Sequence, residues 1–166
     1  MTDETTEGPA PRKPSQEEKR RMKSAARLYA VQALFQMEAA GHTLDRVRRE
    51  FEAHRIGATV EGVEYAEADV DLFRLILEEA VNWQAAVDQA TDRALVAKWP
   101  IGRIDPVIRA LFRAAGAELK QPSTPPRVVI TEYVDVAHAF FPDGREPRFV
   151  NAVLDHMARE LRPEAF

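Results

Sequence analysis

Residues 15–41 read SQEEKRRMKSAARLYAVQALFQMEAAG, and this stretch decides the fold class. Ser15 followed three residues later by Glu18 has the form of a capping box, in which hydroxyl and carboxylate satisfy the orphan amides of a helix start. Met22, Ala26, Tyr29, Ala30, Ala33, Leu34 and Met37 then recur at helical spacing. Gly41 closes the element, because glycine enters the left-handed conformation of a helix end without a Cβ clash. The same segment carries Arg20, Lys23 and Arg27 at i, i+3 and i+7, one stripe away from the apolar face, and Lys19 extends it. An amphipathic helix with a cationic stripe is thus the first element.

The rest of the chain repeats the helical period. Thr43 is placed to cap a second helix with Leu44, Val47 and Phe51 on one face. Residues 56–67, with Gly57 and Gly62, read as a loop. Phe73, Ile76, Leu77 and Ala80 mark a third helix, and a fourth carries Val87, Ala94 and Leu95 to about Lys98. Asp105-Pro106 pairs an N-cap with proline at the first helical position. Ile108, Leu111, Phe112, Ala115 and Leu119 follow on one face, and Pro122, Pro125 and Pro126 mark the next loop. A sixth helix carries Ile130, Val134, Ala137 and Phe141. Pro142-Asp143-Gly144 is a turn, and Pro147 opens a last helix with Val150, Val153, Leu154, Met157 and Leu161 inward. No alternating strand pattern longer than a few residues occurs. The expected class is all-α, about seven helices packed as small bundles, with residues 1–15 as a disordered, proline-rich leader.

Composition narrows the function. The 166 residues contain no cysteine, which excludes disulfides, thiolate catalysis and zinc–cysteine sites. No stretch approaches the roughly 18 apolar residues of a membrane span, and the N-terminus has no signal-peptide core. A cytoplasmic protein is expected. The four histidines have no metal-ligand spacing, no phosphate-cradling glycine string occurs, and no serine lies in a nucleophile motif. The sequence therefore points to a binding protein and not an enzyme, with no cofactor.

The net charge of −4 conceals an asymmetry. Residues 1–10 sum to −3, residues 11–30 to +5 and the remainder to −6. A basic block leading an acidic body fits one local anion-binding surface, or else a solvated tail. The Lys19, Arg20, Lys23, Arg27 stripe suits phosphate contacts. A second candidate lies at the last helix, where Arg145 and Arg148 flank its start and Phe149 and Asn151 follow. An aromatic ring can stack on a base and an amide can read a base edge. Phe149 next to Val150 also suits core packing.

The segment from Ala25 to Glu38 resembles the opening helix of the NusB family of bacterial transcription antitermination factors, which begins with an Arg-rich run and a string close to A-R-x-x-A-x-Q-A-L-Y. Trp99, Arg103 and Arg113 with Glu118-Leu119 resemble its W…R…L-R…E-L helix. Residues 130–137, ITEYVDVA, resemble I-N-E-x-V-E-L-A, and residues 149–155, FVNAVLD, resemble F-V-N-G-V-L-D. The blocks run in order from about residue 20 to 161. The resemblance implies two packed helical bundles, about 16–98 and 99–166. It also implies binding of boxA RNA in nascent ribosomal RNA transcripts together with NusE, a small-subunit ribosomal protein, in a complex with NusA, NusG and RNA polymerase. It places Lys23 and Arg27 on basic positions of the family, and Arg148, Phe149 and Asn151 on its second RNA element.

Departures from the pattern are Ser24 and Ala25 in the basic run, Thr131 for Asn, His138 for Lys and Ala152 for Gly. Gly116 and Ala117 stand where bulkier residues, including a common Tyr, are usual. A related domain precedes some ribosomal RNA cytosine methyltransferases, but those need a catalytic cysteine, absent here. The remaining alternative is a helical protein–protein module or homodimer without RNA binding.

Overall fold

The computed structural model describes residues 13–95 and 101–166. Most of the expected leader lies outside them, as do Lys98, the expected end of the fourth helix, and Trp99. Seven α-helices account for nearly all the regular structure among the described residues. Helix α1 spans Gln16–Ala40: the Ser15 hydroxyl accepts from the Glu18 amide at 3.1 Å, and Gly41 ends the helix at φ 67°. Helix α2 spans Leu44–His54 and is capped by Thr43, as its sequence requires. Helices α3 (Val70–Asn82) and α4 (Gln84–Ala94) are separated by Trp83 alone. Asp69 caps α3 by accepting from the Leu72 amide. Helix α5 (Pro106–Leu119) starts at the Asp105 cap, α6 spans Pro126–Phe140 and α7 spans Glu146–Leu161.

One element departs from the expected loop. Within residues 56–67, Thr59–Val60 (β1) pairs antiparallel with Val63–Glu64 (β2). Glu61 at φ 50° and Gly62 at φ 79° form the two-residue turn, whose two positive φ values match the twist of a hairpin. The segment that follows the hairpin is pinned to α1, since the Tyr29 hydroxyl donates to the Ala66 carbonyl at 2.7 Å and the Asp69 amide to the Met22 carbonyl at 3.0 Å.

Helix α5 is the axis of the core. Ten of its fourteen residues are buried, and α1, α3, α4, α6 and α7 all pack around it. Burying Leu111 and Phe112, both fully covered, stabilises the fold by roughly 1.5–3 kcal/mol each. Phe51 stacks on Phe73 at 5.8 Å and meets Tyr29 edge-on at 6.3 Å, joining α1, α2 and α3. Gly116 explains one departure from the family pattern. A Cβ there would lie 2.3 Å from Val87 Cγ1, so α4 approaches α5 too closely for any side chain. None of the described helices is long and apolar enough to cross a membrane.

Candidate nucleic-acid interface

The cationic stripe divides at its fourth member. Lys19, Arg20 and Lys23 are exposed on the first two turns of α1. Among the described residues, none of the three has a carboxylate partner. Arg27 does not join them. The helical repeat puts it in line with Arg20 and Lys23, but by that depth the stripe runs under α5 and α6, and Arg27 is 4% exposed. Its Nε donates to Glu118 Oε1 at 2.7 Å and its Nη2 to Oε2 at 3.1 Å, the two-pronged geometry of a guanidinium on a carboxylate. Burial lowers the Arg27 pKa, while the Glu118 hydrogen bond and charge raise it more, so the net direction is up. The expectation that Arg27 contacts phosphate is therefore corrected: it is a structural ion pair.

The network around that pair is fully formed. The Tyr133 hydroxyl donates to Glu118 Oε1 at 2.8 Å, and burial, reinforced by the Glu118 charge, holds Tyr133 neutral far above the usual tyrosine range. Glu132 lies 3.5 Å from Arg27 Nη1 and accepts from the Ser24 hydroxyl at 3.0 Å. Ser24, where the family favours a basic residue, thus ties α1 to α6.

The second candidate lies at the start of α7. Arg145, Arg148 and Asn151 are exposed. Phe149 is shared between two roles. Its ring meets Phe112 edge-on with centroids 6.1 Å apart and packs against the core. The remaining surface lines a pocket of about 330 Å³ with Arg103, Ile108, Arg145 and Glu146. The structure thus supports the core-packing role for Phe149, which also borders this pocket. One carboxylate oxygen of Glu146 is buried there with no hydrogen-bond partner.

These elements sit at opposite ends of α5. The stripe's inner end is fixed at Glu118 and the Phe149 pocket at Ile108, ten residues or roughly 15 Å of helix rise apart. The sequence missed the wall that faces the stripe. Ser123, Thr124 and Pro125 line a groove of about 340 Å³ together with Lys19, Arg20, Lys23, Arg27 and Glu132. The three prolines marked that loop, but nothing in its sequence placed it beside α1.

A family model described as "NusB family" matches residues 24–159. A transcription antitermination protein NusB of Maricaulis maris is 48% identical over 151 residues, covering 90% of this chain and 94% of that protein. The solved structure of T. maritima NusB superposes with a TM-score of 0.64 at 26% identity, over 85% of this chain and 93% of the other. A structure of antitermination factors NusB and NusE in complex with dsRNA matches with a TM-score of 0.62 at 21% identity, over 84% of this chain and 98% of that one, which shows the fold alone.

Proposed function

The chain belongs to the NusB family of transcription antitermination proteins, and on that premise we propose that it binds boxA RNA of nascent ribosomal RNA transcripts jointly with NusE. The observation that carries the reading is the cluster of three exposed cations, Lys19, Arg20 and Lys23, without acidic partners among the described residues of a protein whose net charge is −4. Such a cluster supplies sequence-independent attraction to phosphates. Arg145, Arg148, Phe149 and Asn151 form the second contact, where Phe149 stacks a base and Asn151 reads a base edge. The role is one of binding and not catalysis. The assembly acts in the cytoplasm on RNA polymerase with NusA and NusG, and the two helical halves, about 16–98 and 99–166, serve as one unit.

A protein partner is supported by a separate feature. An apolar groove of about 360 Å³ opens between α1 and the adjoining ends of α5 and α6, lined by Phe35, Ala39, Val107 and Phe140. Phe35 is 37% exposed, and aromatic side chains that become buried on association contribute a large share of binding energy. The proposed occupant of this groove is NusE, with a second copy of the chain as the alternative. Joint binding makes the coupling reciprocal, so NusE tightens RNA by the factor that RNA tightens NusE. The test is a gel shift of boxA RNA with and without NusE against a scrambled RNA. Equal affinity for both RNAs in the presence of NusE refutes the reading.

A further inference from the structure

The groove beside α1 is lined by four cations, Lys19, Arg20, Lys23 and Arg27, and by one acid, Glu132, and its geometry is fixed from three sides. The loop after α5 is held by Arg162, whose Nη1 donates to the Gln121 carbonyl at 2.7 Å and the Thr124 carbonyl at 2.9 Å. Pro122 and Pro125 stiffen the same loop. Opposite stand Lys19 and Lys23 on α1, and between them lies Glu132 of α6, its side chain 18% exposed. The two oxygens of Glu132 are not equivalent. Oε2 accepts from Ser24 and faces Arg27. Oε1 has no hydrogen-bond partner among the described residues, and it is not among the buried orphan atoms. One oxygen is therefore anchored, which orients the carboxylate, and the other is left open to the groove.

An ionised carboxylate only accepts hydrogen bonds. A phosphate brought to the unanchored oxygen of Glu132 would meet like charge, whereas at Lys19 and Lys23 it meets ammonium groups. The groove therefore sorts an RNA strand, keeping backbone at the lysines and drawing a donor group to the carboxylate. The donors that a base edge presents are the exocyclic amines of cytosine, adenine and guanine, and pairing of an acidic side chain with the cytosine amine is an established mode of base readout. Uracil offers only a ring imino flanked by two carbonyl oxygens, which an anion disfavours. Single-stranded RNA presents such edges once a base is unstacked.

We propose that this groove is a base-reading subsite for single-stranded RNA. In it Glu132 accepts a hydrogen bond from the exocyclic amine of one unstacked base, while Lys19 and Lys23 hold the flanking phosphates. The proposal rests on the RNA-binding reading above and adds a specificity-determining residue to it. Sequence preference at this subsite then comes from the acidic group, and the cations that flank it contribute affinity alone.

The test uses the full chain and boxA RNAs in which each amine-bearing base is replaced in turn by the analogue carrying hydrogen in place of its amino group: 2-pyrimidinone for cytosine, purine for adenine, hypoxanthine for guanine. One position should lose roughly ten- to a hundredfold in affinity, the range for a hydrogen bond to a charged group. That penalty should vanish in Glu132→Ala and shrink to a few-fold in Glu132→Gln, which retains a neutral acceptor and the Ser24 bond. Thermal unfolding of both variants is followed in parallel, and Glu132→Gln serves alone where Glu132→Ala does not fold. An unmodified RNA that binds, with no analogue costing affinity, overturns the proposal. So does a sensitive position whose penalty is undiminished in a folded Glu132 variant. Failure of the unmodified boxA RNA to bind at all, with and without NusE, instead overturns the RNA reading, and the subsite with it.

Discussion

Replacing Arg27 by alanine separates the structural from the RNA-binding part of α1. In the intact protein the Glu118 carboxylate is 1% exposed and holds three close donors, two from Arg27 and one from Tyr133. Arg27→Ala leaves that carboxylate buried with the Tyr133 hydroxyl alone. Removing one partner of a buried pair costs about 3–5 kcal/mol, chiefly because the surviving charge is stranded. Domain stabilities run to about 5–15 kcal/mol, so the loss is a large share of the total. Urea unfolding at pH 7 measures it directly. The double variant Arg27→Met with Glu118→Leu should recover most of the loss, since no charge is then stranded. Lys23→Ala should behave in the opposite way. It should leave stability within about 0.5 kcal/mol and shallow the dependence of RNA affinity on salt by roughly one phosphate contact. An Arg27→Ala protein that loses under about 1 kcal/mol, yet flattens the salt dependence as Lys23→Ala does, refutes the assignment of Arg27 to the core.

Gly116→Ala should destabilise by about 1–3 kcal/mol despite its better helix propensity, because the new methyl collides with Val87; pairing it with Val87→Ala should restore part of the loss in the same urea assay. Phe149→Ala should weaken boxA binding by about 1–3 kcal/mol if the ring stacks a base, and it should also lower the unfolding midpoint because the ring packs on Phe112; unchanged affinity in a folded variant removes Phe149 from the interface. Tyr133 has its pKa raised in the folded state, so its protonated form favours folding. Its contribution is full below the unfolded value of about 10 and is lost as pH climbs beyond it toward the folded value. Tyr133→Phe should therefore lose less stability than the parent between neutral and strongly alkaline pH, measured by unfolding across that range.

Features settled by neighbouring residues were legible in the sequence, and features settled across the fold were not. Ser15, Thr43 and Asp105-Pro106 cap the helices they precede, and Gly41 ends α1, because caps are satisfied within three or four residues. The hairpin at 59–64 escaped because its turn is Glu61-Gly62. Glutamate rarely takes positive φ, and a two-residue strand shows no alternation. Arg27 illustrates the limit at the site. Periodicity gave its direction from the helix axis, but its depth depends on Glu118, 91 residues away. The wall at Ser123 and Thr124 depends likewise on Arg162, and no local pattern announces that contact.

Charge counting alone would have argued against RNA, and pairing resolves the conflict. Among the described residues, every ion-paired arginine lies at position 27 or beyond. Arg74 meets Glu52, Arg93 meets Glu160, and Arg113 bridges Asp88 and Glu38, each joining different helices. These pairs consume much of the acidic body's charge in holding the bundle together. Lys19, Arg20, Arg21 and Lys23 share one short segment of α1 in which the only acids, Glu17 and Glu18, lie in the first turn, where they favour the positive end of the helix dipole. The field outside the molecule is governed by charges that lack close partners, since a paired arginine and carboxylate cancel within a few ångströms. An acidic protein therefore presents a cationic surface at α1, and that surface borders the groove that Glu132 lines.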